Sequence, residues 1–147
     1  MSRGLAVLLG AGAGCLVGMQ APINARLGRT VGGLQAATFS FLVGSVALVL
    51  VTTLAGGGLG GLQKVGQVPW WALVGGLLGA IYVTVALETV RTLGASGLTA
   101  VVIAGQLLIS VAIDRFGLLG IARQQISTSR IVGLLLLVAG VALVVRK

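Results

Sequence analysis

Gln106, Ser110 and Asp114 follow one another at intervals of four in the apolar run VVIAGQLLISVAIDRFG. At 100° per residue an amide, a hydroxyl and a carboxylate at that spacing share one helix face, together with Thr99 and Ile103. Facing hydrocarbon, they would cost several kcal/mol in unmet hydrogen bonds, so the stripe must face protein or water. For Gln106 and Ser110 alone, bonding between helices fits as well as bonding to a solute. Asp114, one of only two acids in the chain, tips the reading toward a cavity, because ionisable groups inside a membrane mark solute and proton pathways. It also stands near the helix end beside Arg115, where an interfacial ion pair is the competing reading.

Other helices repeat the pattern. Gln20 and Asn24 are four apart, with Pro22 between them freeing a backbone carbonyl. Gly10, Gly14 and Gly18 form a flanking ridge of small residues, most simply a packing surface. Ser40 shares a face with Gly33, Ala37 and Gly44, and Tyr82 shares one with Gly75, Gly79 and Ala86. Both mark a close helix contact or a cavity wall. Glu88 has Arg91 three residues later, the spacing of a local ion pair; it is also the only other carboxylate able to balance a charge or carry a proton.

The same inventory excludes much. With no histidine, one cysteine and two separated acids, the chain offers neither a nucleophile–base pair nor a set of metal ligands. It reads as a non-enzyme without cofactor or metal. The net charge of +8 falls beside apolar runs rather than in a patch interleaved with aromatics, so lipid phosphates, not nucleic acid, are its partners.

What positions these residues is a set of membrane helices. The 147 residues are 57% hydrophobic and 8% charged, with a mean hydropathy of +1.15, far too apolar for a water-facing surface. Five apolar stretches of spanning length are drawn at about 4–21, 34–54, 69–91, 96–114 and 128–145. They make residues 1–147 a single all-α transmembrane domain. The basic start and the small-small-Cys ending of MSRGLAVLLGAGAGC mimic a lipoprotein signal, but Gly12 stands where a larger aliphatic residue is usual. The segment reads as the first span. Pro69 suits a first helical turn, Trp70 and Trp71 a headgroup belt, and Ser127 an N-cap for a helix opening at Thr128.

Five spans place Arg3, Lys64, Arg115, Arg123 and Arg130 on one side and Arg26, Arg29, Arg91, Arg146 and Lys147 on the other. Orientation follows the difference in such counts, and here it is zero. Either the loops divide differently or one tail residue dominates, or the chain inserts both ways and pairs antiparallel. The last case builds an inverted repeat, the architecture of many transporters, from two copies of one chain.

GMQAPINARLG, FSFLVGS, PWWALVGGLLGAIYV, LGASGLTAVVIAGQLLISVAIDRFGLLG and the glycine-rich last helix together resemble the short YdcZ-type branch of the drug/metabolite transporter superfamily. The similarity covers nearly the whole chain. It rests on Q-x-P-x-N (Gln20, Pro22, Asn24), P-W-W (Pro69 to Trp71), and G-Q followed by Ser110 and D-x-F-G from Asp114. The resemblance implies a five-helix half-transporter in a bacterial inner membrane, completed to a ten-helix antiparallel unit by a second copy or a sibling chain. GLLLLVAGV, from Gly133 to Val141, is similar to the dimerisation helix of small multidrug transporters. Those proteins use a glutamate in their first helix, where this chain has Gln20 and Asn24.

The expected function is therefore secondary transport, an export of a small metabolite or drug-like compound by alternating access. Gln20, Asn24, Ser40, Tyr82, Gln106 and Ser110 would bind the solute, and Asp114 with Glu88 would act as coupling or counter-ion groups. The alternative is a non-transporting membrane scaffold or accessory subunit with a dry core.

Overall fold

The computed structural model describes residues 1–146 and is helical nearly throughout. Four helices are long and apolar enough to cross a bilayer: α1 (Arg3–Val31), α2 (Gly33–Ala55), α3 (Gly75–Phe116) and α4 (Thr128–Val145). The chain divides into two compact units, Met1–Arg91 and Thr92–Lys147, with α3 running from one into the other.

α1 opens on Ser2, whose hydroxyl accepts from the Leu5 amide at 3.3 Å. It then continues ten residues past the end expected at Ala21, straight through Pro22, to Val31. Proline removes one intrahelical bond, the one to the Gly18 carbonyl, yet Ala21, Asn24, Ala25 and Gly28 beyond or beside it are all buried. Packing of that small-residue face holds the helix together across the missing bond. At 29 residues α1 is about 44 Å long, against a hydrocarbon core of about 30 Å.

A single residue, Gly32, joins α1 to α2. Its φ of 95° and ψ of 152° belong to glycine alone, and its N–H donates to the Gly28 carbonyl at 3.0 Å. Gly28 and Gly33 let the helices approach: a Cβ on Gly28 would lie 3.5 Å from the Gly33 Cα and 3.6 Å from the Ala36 Cβ. The core of this unit is Ala21 and Ala25 of α1, Ala36 and Ala37 of α2, and Val83, Ala86, Leu87 and Val90 of α3. Small residues predominate because, with lipid as solvent, close backbone approach rather than hydrophobic collapse drives helix association. The large aliphatic side chains point outward, Leu8, Leu16, Leu48, Leu54 and Leu78 among them.

After α2 the connector forms short 3-10 turns at Gly60–Gln67 and Trp70–Leu73. The third expected helix, from residue 69, therefore begins as a helix proper only at Gly75, with Pro69 capping the 3-10 turn and exposed Trp70 and Trp71 upon it. α3 contains one non-helical residue, Gly94, at φ 72° and ψ 171°. This divides its 42 residues into stretches at 75–93 and 95–116.

In the second unit α3 ends at Phe116 on Gly117, a left-handed residue at φ 64° and ψ 38°. The following loop folds back onto that end: the Gln124 amide donates to the Asp114 carbonyl at 2.8 Å and Arg123 Nε to the Arg115 carbonyl at 2.9 Å. Residues 117–127 thus satisfy carbonyls that a helix C-terminus leaves bare, rather than extending the helix. α4 then starts at Thr128, where Ser127 accepts from the Arg130 amide at 3.3 Å as the expected N-cap. No residue of α4 is buried within the described chain.

Candidate functional site

In the first unit, Asn24 is the one site residue the fold encloses. It is 4% exposed, on the α1 face shared by Ala21, Ala25 and Gly28. Its Nδ2 is out of contact with solvent and has no hydrogen-bond partner. Gln20, one turn earlier, is half-buried, as are Ser40 on α2 and Tyr82 on α3. Pro22 leaves the Gly18 carbonyl without its intrahelical donor, so the stretch holds an idle acceptor as well as an idle donor.

One turn beyond Asn24 lies a charged clasp. Arg91 Nη1 donates to Glu88 Oε2 at 2.8 Å, the local pair expected from the i,i+3 spacing. A Cβ on Gly28 would stand 3.1 Å from Arg91 Nη2, and one on Gly33 would collide with Glu88 Oε1 and come within 3.1 Å of Leu87 Cδ1. Glu88 therefore sits against the first residue of α2, whose N-cap Gly32 supplies no side-chain bond. Arg91 sits against the last turn of α1. Each charge has the sign its helix end favours. The glycine cluster Gly28, Gly32, Gly33 is a signal the sequence reading did not use: Gly28 and Gly33, without side chains, make room for the pair, and Gly32 supplies the positive φ of the corner.

In the second unit, the polar stripe divides. Thr99 and Ile103 line an open groove of about 600 Å3 with Ala95, Ser96 and Ala100, closed on the other side by Leu136, Leu137, Gly140, Val141 and Val144 of α4. Ile103, Leu107 and Val111 continue against α4 in a second groove with Gly133, Leu134 and Arg130. Gln106 and Ser110 line neither groove and are exposed on the surface of the chain, with no side-chain hydrogen bond among the described residues. Asp114 is paired, with Arg130 Nη1 at 3.0 Å, rather than with its neighbour Arg115. Adjacent residues point away from each other on a helix, whereas the folded-back loop brings Arg130 across. The carboxylate also meets the N-terminal turn of α4, where negative charge is favoured.

Along α1, Gly10, Gly12, Gly14 and Gly18 meet nothing within 4 Å of where a Cβ would stand. The ridge of small residues has no partner among the described residues.

Helices of spanning length with apolar side chains turned outward define a multi-pass membrane protein. A family model described as "Putative inner membrane exporter, YdcZ" matches residues 5–143. The chain is 33% identical over 144 residues to the inner membrane protein YdcZ of Escherichia coli (strain K12), covering 97% of this chain and 95% of that protein. The chain belongs to the YdcZ family, whose description is that of an inner-membrane exporter. No solved structure matches it.

Proposed function

We propose that this chain is half of an exporter: two copies of opposite orientation, or one copy and a sibling chain, move a small metabolite or drug-like solute by alternating access. The observation that carries this reading is the exposure of Gln106 and Ser110 midway along the second stretch of α3. An amide and a hydroxyl cannot rest in lipid at low cost. A partner chain or a water-filled path must cover them. The unpartnered glycine ridge of α1 offers a surface suited to close helix approach.

Five spans fit the helix lengths. A straight 42-residue helix would reach about 63 Å, twice the hydrocarbon thickness, whereas 75–93 and 95–116 each match one crossing of about 30 Å. In this reading residues 1–147 form one membrane domain, and the five basic residues on each side leave insertion undirected. Gln20, Asn24, Ser40, Tyr82, Gln106 and Ser110 supply hydrogen bonds to the solute. Asp114 is the coupling carboxylate, released from Arg130 during the cycle, and Glu88 is the second.

The test is thiol labelling of Gln106→Cys and Ser110→Cys in a Cys15→Ser background, using a membrane-impermeant reagent added from each side in turn. A transport path predicts labelling from both sides. No labelling from either side contradicts it and favours a dry scaffold.

A further inference from the structure

Asn24 Nδ2 is buried and lacks an acceptor, the one buried side-chain nitrogen or oxygen in that condition among the described residues. Such a group destabilises the fold that holds it. The chain shows how readily the position could avoid this. Thr38, Thr53 and Thr84 each donate to the carbonyl four residues back, at 2.9, 2.8 and 2.8 Å. A threonine at 24 would reach the Gln20 carbonyl in the same way and leave nothing unpaired. The small apolar residues sharing its face, Ala21, Ala25 and Gly28, offer the amide no side-chain acceptor.

A second observation concerns charge. Both acids of the sequence are already matched, Glu88 by Arg91 at 2.8 Å and Asp114 by Arg130 at 3.0 Å. In this state a cationic solute would find neither side-chain carboxylate free.

We infer that Asn24 is a solute-binding donor: its Nδ2 is left unpaired by the protein because it bonds to an acceptor oxygen of the transported solute. The inference rests on the transport reading above and names the solute chemistry that reading leaves open. Stability is sacrificed at the empty site and recovered on binding, as at functional sites generally.

The test is thermal unfolding of the purified, solute-free full chain in detergent, comparing wild type with Asn24→Thr and Asn24→Leu. Threonine nearly matches asparagine in size, so its result does not depend on how leucine packs. Removing an unmet donor should leave Tm unchanged or raise it by about 2–4 °C for Asn24→Thr. A fall of several degrees in both variants would show a structural amide and overturn the assignment. Acetamide, an uncharged acceptor, should then raise Tm of wild type but not of Asn24→Thr. Equal shifts in both proteins, or a shift confined to the cation tetramethylammonium, would overturn the acceptor chemistry. Either failure would leave the two-sided labelling of Gln106→Cys untouched, so the binding assignment and the transport reading fall separately.

Discussion

Glu88 and Arg91 hold each other at 2.8 Å across one turn of α3, and each lies against one end of the α1–α2 corner. The acid meets the start of α2 and the base meets the end of α1, so one local pair serves two helix termini at once. Its side chains keep 53% and 34% exposure respectively, which makes the direct attraction weak, on the order of 0–1 kcal/mol. The close fit around Gly28 and Gly33 matters more than the charge.

Gly33→Ala should therefore destabilise the protein modestly, by about 1 kcal/mol, the low end of overpacking, because its Cβ would displace the exposed end of Glu88 and crowd buried Leu87 Cδ1 at 3.1 Å. In a Glu88→Ala background the same substitution should cost measurably less. A double-mutant cycle on thermal unfolding checks this; additive losses would place the clash elsewhere.

Gly94→Ala should lower stability by about 1–3 kcal/mol, because φ 72° with ψ 171° is a conformation nearly closed to other residues. Nothing lies within 4 Å of the added Cβ, so backbone strain alone sets the loss. Gly105→Ala, equally uncrowded but without a positive φ, should by contrast be neutral or stabilising by up to about 1 kcal/mol. Unfolding midpoints of the two variants make the comparison.

Asp114→Asn and Arg130→Gln should each cost little, and their coupling in a double-mutant cycle should be about 0.5–1 kcal/mol, since the pair is partly open to solvent. If Asp114 also acts on the coupling ion, Asp114→Asn stops export while Arg130→Gln, equal in stability, does not. Export measured in proteoliposomes containing each variant separates the two roles. Equal loss in both would reduce Asp114 to an interfacial ion pair.

Much of this was legible in the sequence. Ser127 announced the start of α4, and the i,i+3 spacing announced the Glu88–Arg91 pair. Three features were not. Proline normally ends a helix, and only the burial of Ala21, Asn24, Ala25 and Gly28 explains why α1 runs on to Val31. Asp114 stands beside Arg115 in the sequence, yet its partner is Arg130, 16 positions on (130 minus 114), reached only because residues 117–127 fold back onto the end of α3. Helical phase grouped Gln20 with Asn24, but phase carries no depth of burial. That one is half-buried and the other enclosed without an acceptor is a property of the α1 packing face.

The central claim is that the chain works as an inverted pair. The most direct measurement is the orientation of its C-terminus, read by protease protection or tag accessibility in sealed inner-membrane vesicles of known sidedness. Comparable populations of C-termini on the two faces are expected if the pair is two copies of this chain, and a sibling chain of opposite orientation if it is not. Every C-terminus on one face, with no such sibling recovered by cross-linking, would contradict that claim.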